Sequence, residues 1–253
     1  MHIDLNSDMG EGYGAWRMGD DLALLEHVSS AHIACGFHAG DPDTMARTVH
    51  AAAARGVAIG AHPSLPDLQG FGRRALQVTE AEAYAFTLYQ TAALAGFARA
   101  AGAPLRHVKA HGALYNMAAK DAALSGAICR AVRDFDPGLV VFALAGSVTV
   151  DVARDMGLRV AQEVFADRSY QADGSLTPRS QPGAMVTALE ASVAQVRRMV
   201  HEGHVRSQSG ADVAIQADTI CLHGDQPGAA AFAAAIRAAL LADGIAIQAP
   251  GAD

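Results

Sequence analysis

Residues 107–116 read HVKAHGALYN, in which a short predicted strand with Val108 and Ala110 is followed directly by polar side chains. The same unit recurs along the chain, with each brief run rich in Val, Ile, Leu or Ala. Such runs are typical of strands that are buried on both faces. The predicted strands are Ile3 to Ser7, His32 to Cys35, Val57 to Ala61, His107 to Ala110, Leu139 to Ala143, Arg159 to Val164 and Thr219 to Leu222.

The segments between these runs have helical patterns. Apolar residues recur at steps of three and four from Pro182 to His201, which predicts a helix there. Thr79 with Glu82 predicts a capping box, and Asp41 before Pro42 predicts another helix start.

About seven β-then-α units with no linker predict one domain over residues 1–253, folded as an α/β parallel barrel. A doubly wound open sheet stays an alternative, because alternation of strands and helices does not distinguish a closed sheet from an open one.

Composition excludes several classes of protein. The formal net charge of −7 gives no basic surface for a nucleic acid. No apolar run approaches the ~20 residues needed to span a bilayer, and no apolar leader follows the N-terminus. Cys35, Cys129 and Cys221 are scattered, which favours buried free thiols in a reducing compartment. We therefore expect a cytoplasmic protein that does not bind nucleic acid or membrane.

Ionisable residues follow six of the seven predicted strands at their C-terminal ends. In parallel barrels the active site lies at that end, where the βα loops converge. Histidines follow four of the strands, and imidazoles suit proton transfer or metal binding near neutral pH. The sequence therefore predicts a catalytic set at the barrel mouth: Asp8, Glu11, His38, His62, Lys109, His111 and His223.

Recognised catalytic motifs are missing. The chain has no GxxxxGK[ST] phosphate loop, no HExxH pair and no GxSxG nucleophile elbow. Acid–base chemistry without a metal stays open, and so does a divalent metal held by Asp8, His38 and His62.

Several motifs in a fixed order cover almost the whole chain. They are DLNSDMGE (4–11), ACGFHAGD (34–41), GAHPS (60–64), GFGRR (70–74), VKAHGALY (108–115), EVFADRSY (163–170), PR (178–179) and CLHGD (221–225). With these motifs the chain resembles the LamB/YcsF family, to which the A subunit of bacterial 5-oxoprolinase belongs.

The resemblance implies a seven-stranded, distorted parallel (β/α) barrel like that of the glycoside hydrolase/deacetylase superfamily. It also implies cleavage of 5-oxo-L-proline (pyroglutamate) to L-glutamate coupled to ATP hydrolysis. Subunits B and C are the implied partners, and they are expected to bind most of the ATP, since the phosphate loop is absent here.

We assign roles to the predicted catalytic residues as a hypothesis. Asp8 or Glu11 positions or deprotonates water, and Lys109 with Arg168 binds anionic groups. The four histidines supply proton transfer and oxyanion contacts. The predicted substrate-binding residues are Asn6, Arg73, Tyr115, Glu163, Arg168, Arg179 and Asp225. We expect Asp8 and Lys109 to be needed for turnover and dispensable for folding.

Two other functions fit the same residues. One is a metal-dependent deacetylase or amidohydrolase that acts alone on an acylated sugar. The other is a non-enzymatic protein that binds a lactam or a sugar. Tightly bound Zn²⁺ would favour the first alternative, and loss of affinity without loss of a chemical step on substituting Asp8 would favour the second.

Overall fold

The computed structural model describes residues 1–224 and 228–251. Seven parallel strands close into a barrel, because the first strand pairs with the second and also with the last. In order around the barrel they are β1 (His2–Met9), β2 (Ser30–Ala34), β3 (Ala58–His62), β4 (Leu105–Lys109), β5 (Val140–Leu144), β6 (Arg159–Phe165) and β9 (Thr219–His223). Closure confirms the barrel and excludes the open sheet, and each predicted strand end lies within two residues of the observed one.

Helices surround the barrel and follow most of its strands. They are α1 (Asp21–Leu24), α2 (Pro42–Ala54), α3 (Glu80–Ala100), α4 (Gly112–Ala118), α5 (Ala122–Phe135), α6 (Val148–Asp155), α7 (Leu189–Glu202) and α8 (Ala229–Ala242). A short antiparallel ribbon, β7 (His204–Arg206) with β8 (Asp212–Ala214), follows α7, and β10 (Ala246–Ile247) extends the sheet beside β1. No helix within the described ranges is both long and apolar enough to cross a bilayer.

The predicted helix starts at Asp41 and Thr79 are confirmed. Asp41 accepts the backbone N–H of Thr44 at 3.0 Å, and Thr79 forms a reciprocal capping box with Glu82. The helix predicted over Pro182 to His201 is present as α7, but its predicted start is wrong, since α7 begins at Leu189. Before it the chain turns at Gly183, where φ is +73°, so the apolar spacing there does not belong to a helix.

The barrel interior is polar, whereas its outer face is apolar. Along β1 side chains alternate: Ile3 and Leu5 join the core beneath the helices, and Asp4, Asn6 and Asp8 point inward. This alternation brings acidic groups of β1 into contact with the other strands.

Two further histidines fill the middle of the barrel. The ring of His32 lies edge-on to His107 and to Phe142, with centroids 4.7 and 4.8 Å apart. A Cβ atom at Gly60 would overlap the ring of His107, which explains the glycine there. Burial and nearby Lys109 lower the pKa of His107 to about 3, so this layer is uncharged.

Asp4 lies at the end of the barrel opposite the catalytic mouth. Its carboxylate accepts hydrogen bonds from Ser29, Ser30 and Thr219. Burial nevertheless raises its pKa to about 6, against 3.8 in an unfolded chain.

We expect Asp4 to make stability depend on pH. Because the folded protein holds this proton more tightly than the unfolded chain, stability falls as the pH rises from about 4 to 6. Relative to Asp4→Asn, the wild type should lose roughly 2 kcal/mol of unfolding free energy between pH 4.5 and pH 7. Denaturant unfolding of both proteins at the two pH values measures this difference. If the difference in unfolding free energy between the two proteins did not change with pH, the raised pKa of Asp4 would be contradicted.

The three cysteines are free and buried. Burial raises the pKa of Cys35 and of Cys129 to about 12, so little reactive thiolate forms at neutral pH. We expect all three thiols to react slowly in the native protein and fast after denaturation. Titration with an aromatic disulfide reagent tests this, and fast native labelling of any of them would contradict it.

Candidate active site

A cavity of about 590 Å³ opens at the carboxyl ends of the barrel strands. Its wall includes the strand ends, the start of α4 and the loop at residues 175–179. The predicted site residues that line it are Asp8, Glu11, His62, Arg73, Lys109, His111, Tyr115, Arg168, Arg179 and His223.

Lys109 lies at the floor of the cavity inside a buried ion network. Its Nζ is 2.9 Å from Asp8 Oδ1, 2.8 Å from Glu163 Oε1 and 3.2 Å from the sulfur of Cys221. Burial opposes the ammonium, but attraction to these groups outweighs it and holds the pKa of Lys109 well above its ordinary value. Burial likewise opposes the Asp8 carboxylate, yet His62 and Lys109 hold its pKa well below the ordinary value. Both groups are therefore charged at neutral pH.

This network changes the expectation for Lys109. Its cation balances two buried carboxylates, so it stabilises the fold as well as facing the cavity. Glu163 lies behind the cavity wall, where Tyr115 donates to its Oε2 at 2.7 Å. Glu163 therefore orients Lys109 and Tyr115 and does not itself line the cavity.

Three imidazoles and one carboxylate converge beside Asp8. We call Glu11, His38, His62 and His111 the histidine cluster; one donor atom from each lies within 4.8 Å of the others. His38 stacks on His111 with centroids 3.8 Å apart. Burial lowers the pKa of both rings well below the ordinary value, which favours neutral imidazoles.

Backbone carbonyls orient two of these rings. His62 Nδ1 is 2.8 Å from the carbonyl oxygen of Lys109, and His111 Nε2 is 2.8 Å from that of Phe71. Carbonyl oxygens only accept, so each of these nitrogens carries the proton and donates. The other nitrogens, His62 Nε2 and His111 Nδ1, are 3.0 Å apart.

The loop that presents Phe71 has strained backbone. Phe71 has φ of +55°, a left-handed conformation that is rare for a bulky residue. Gly72 follows with φ of +65°, and a Cβ atom there would come within 2.8 Å of the His111 ring. The strain is located where the chain must approach the histidine cluster closely.

His223 belongs to a dyad with Asp167. Its Nδ1 lies 2.9 Å from both carboxylate oxygens, and its backbone N–H donates to Oδ2 at 3.1 Å. Although burial opposes it, the attraction of His223 lowers the pKa of Asp167, so the carboxylate is ionised and accepts the Nδ1 proton. This leaves His223 Nε2 as the nitrogen available to the cavity. Sequence reasoning did not select Asp167.

Cationic side chains surround the cavity mouth. Arg73, Arg179 and Lys120 are exposed and line the cavity, with the Arg73 guanidinium 4.7 Å from the centre of the Phe71 ring. Lys120 was missed from the sequence, where it stands alone on a helical stretch. On a chain of net charge −7, this mouth favours a small anion.

Arg168 has a more structural position than predicted. Its guanidinium donates to the carbonyls of Thr177 at 2.6 Å and Ala184 at 3.3 Å, which fixes the loop over the cavity. Burial and neighbouring Arg179 lower its pKa to about 10, so it remains a cation at the cavity wall.

Three other predicted residues lie away from the cavity or outside the described part. Asn6 lies below it and donates to Thr219 Oγ1 at 2.6 Å, so the structure does not bring this residue to a substrate. His38 lies behind His111 and reaches the cavity only through the histidine cluster. Asp225 lies outside the described residues.

A closed seven-stranded parallel (β/α) barrel with acid, imidazole and ammonium groups at its mouth is the fold class that the sequence predicted. A profile of the LamB/YcsF family matches residues 3–252, and the chain belongs to this family.

Individual relatives match over nearly their whole length. The chain is 68% identical to the 5-oxoprolinase A subunit of Bordetella pertussis, over 98% of each chain. It is 56% identical to the 5-oxoprolinase A subunit of Bacillus subtilis, over 98% of this chain and 96% of the relative. Its structure is similar to the crystal structure of the lactam utilization protein from Thermus thermophilus, with a TM-score of 0.93, 47% identity, and coverage of 98% and 100%.

Proposed function

We propose that this chain is the A subunit of an ATP-dependent 5-oxoprolinase and opens the lactam ring of 5-oxo-L-proline to give L-glutamate. The names of the relatives support this proposal, as does the likeness to a lactam utilization protein. Subunits B and C are the proposed partners. The cytoplasm is the proposed compartment, since ATP is the co-substrate and the cysteines are free thiols.

The observation that carries the proposal is the division of charge in the cavity. Its mouth is cationic, with Arg73, Arg179 and Lys120, and its floor holds the ionised Asp8 beside Lys109. 5-Oxoproline has one carboxylate for the cations and one neutral lactam for the floor. A ring of this size fits a cavity of about 590 Å³.

In the proposed reaction ATP first activates the lactam, because amide resonance makes its carbonyl a poor electrophile. Transfer of the terminal phosphoryl group to the carbonyl oxygen leaves ADP and an activated carbon. The oxygen of one water bonds to that carbon and the ring C–N bond breaks, which leaves an acyl phosphate. A second water hydrolyses the acyl phosphate to the carboxylate of glutamate and inorganic phosphate. The ring nitrogen gains a proton and becomes the amine of glutamate.

The chain's own residues fit the hydrolytic half of this sequence. Asp8 is ionised and lines the cavity, so it can position water and take its proton. Lys109, held against Asp8, faces the charge that develops on the attacked carbonyl. His223, fixed by Asp167, supplies the proton for the leaving nitrogen.

We expect the isolated chain not to hydrolyse ATP at a useful rate. Its sequence has no phosphate-binding loop with a lysine, the element that P-loop enzymes use for the β- and γ-phosphates. Phosphate release by the pure chain, at saturating ATP and with 5-oxoproline present, tests the expectation. Robust ATP hydrolysis by the isolated chain would contradict the expectation that the partner subunits bind most of the ATP.

An omission experiment tests the function itself. Subunits B and C from the same genome are mixed with ATP and 5-oxoproline, with and without this chain, and glutamate is measured. Glutamate should form only in the complete mixture, in step with ADP. Equal glutamate without this chain would reject the proposal, and so would deacetylation of a sugar by the chain alone in place of glutamate formation.

A further inference from the structure

Three of the six donor-atom separations in the histidine cluster are close to the spacing of metal ligands. His62 Nε2 lies 3.0 Å from His111 Nδ1, and Glu11 Oε1 lies 3.5 Å from His38 Nε2 and 3.6 Å from His111 Nδ1. Ligands roughly 2.0–2.1 Å from a tetrahedral metal are about 3.3 Å apart. The observed separations lie on either side of that value.

The proton positions of two rings create a conflict that a cation would remove. His62 and His111 each donate one N–H to a backbone carbonyl, so their facing nitrogens, 3.0 Å apart, need one cation between them, either a shared proton or a metal ion. Histidines that bind metals commonly fix their free N–H on a carbonyl or carboxylate in this way.

His38 adds an independent observation. Its side chain is fully buried, and neither ring nitrogen has a hydrogen-bond partner among the described residues. A buried imidazole without hydrogen bonds is costly. A proton shared between His62 and His111 would satisfy their facing nitrogens but would leave both ring nitrogens of His38 without a hydrogen bond.

We propose that Glu11, His38, His62 and His111 form a binding site for a divalent first-row transition metal, with Zn²⁺ as the best match to three imidazoles and a carboxylate. Three of the four residues line the cavity, so the metal would face the substrate space. The set differs from the Asp8, His38 and His62 triad considered from the sequence. Asp8 is instead paired with Lys109 through one carboxylate oxygen, and its other oxygen lies 3.3 Å from His62 Nε2.

A second group of potential ligands serves as an internal contrast. Asp8, Cys221 and His223 also converge, but the ammonium of Lys109 lies 2.9 Å from Asp8 and 3.2 Å from Cys221. The ammonium of Lys109 therefore supplies the positive charge beside Asp8 and Cys221.

Metal binding is measured on the isolated chain. The metal content of freshly purified protein is determined, the protein is dialysed against chelator, and Zn²⁺ alone is titrated by calorimetry. Co²⁺ then replaces Zn²⁺ to report ligand geometry by visible absorption. Glu11→Gln and His111→Ala are the test variants, and His50→Ala, on the exposed face of α2, is the control for surface imidazoles.

We expect one metal per chain, a tetrahedral Co²⁺ spectrum, and affinity at least about 100-fold weaker in both test variants and unchanged in the control. Glu11→Gln keeps the size of the side chain, so the test survives if His111→Ala fails to fold. Binding that persists in the folded test variants would overturn the proposal. The proposal would also be overturned if the chain bound no metal and NMR showed three N–H signals from His62 and His111, since a proton shared by the two rings would then be the cation between them.

The test is independent of the proposed reaction. It needs no substrate, no partner protein and no ATP. A chain that binds metal but yields no glutamate in the complete mixture would reject the proposed function alone, and a chain that yields glutamate without a metal site would reject this inference alone.

Discussion

Asp8→Asn should abolish most glutamate formation while leaving the protein folded. The substitution keeps the size of the side chain but removes the charge that positions water and takes its proton. We expect a loss of roughly 10²-fold or more in turnover by the reconstituted enzyme, the range for removing an acid–base or electrostatic contributor. Folding should persist because Lys109 keeps Glu163 at 2.8 Å as its counter-charge.

Lys109→Met provides the matched contrast, because it removes the cation instead of an anion. Asp8 and Glu163 would then be two buried carboxylates without their shared ammonium. Breaking a buried ion pair in this way costs roughly 3–5 kcal/mol, so this variant should lose stability as well as turnover. The sequence alone led to the opposite expectation, that Lys109 is dispensable for folding.

Melting temperature and turnover measured on the same samples separate the two residues. Full activity in folded Asp8→Asn would remove Asp8 from the reaction. Unchanged stability in Lys109→Met would contradict the buried ion network. Lys120→Met is the control for stability alone, since that side chain is exposed; its place at the cavity mouth excludes it as a control for turnover.

The second large effect is expected at Asp167, which acts through His223. Asp167→Asn replaces an acceptor of the Nδ1 proton by an amide that can donate, so the ring can take the other tautomer. An imidazole in that tautomer already carries its proton on Nε2 and cannot take up another there to pass to the leaving nitrogen. We expect turnover to fall roughly 10²- to 10⁴-fold, with most of the loss in kcat.

A spectroscopic readout distinguishes this positioning role from a structural one. In ¹⁵N NMR the wild type should show His223 protonated at Nδ1, and Asp167→Asn should shift the proton to Nε2. His223→Asn should lose as much activity as Asp167→Asn, and the double variant little more, because the two residues act as a unit. Additive losses with an unchanged tautomer would contradict the dyad.

The strands and much of the site could be predicted from the sequence, because both depend on local pattern. Short apolar runs mark strands that are buried on both faces, and polar residues directly after them fall at the barrel mouth. The start of the helix predicted from Pro182 was wrong because local spacing does not show where a helix begins. The turn at Gly183 and the hydrogen bond from Arg168 to Ala184 decide the backbone before α7.

Relations between distant strands could not be predicted. Asp167 and His223 are 56 positions apart and meet because β6 and β9 pair directly, with α7 and the β7–β8 ribbon in between. The inward alternation of β1 brings Asp8 to Lys109 and leaves Asn6 below the cavity. Neither contact follows from spacing along the chain, since both depend on closure of the barrel.

The cavity should bind 5-oxo-L-proline with its lactam toward Asp8. A crystal structure of Asp8→Asn soaked with 5-oxo-L-proline tests it most directly, since this variant should bind substrate without opening it. We expect an intact ring in the cavity, with its carboxylate beside Arg73 or Arg179 and its lactam carbonyl facing Lys109. A ring bound elsewhere on the chain, or one with its carboxylate at Lys109 and its lactam at the mouth, would contradict it.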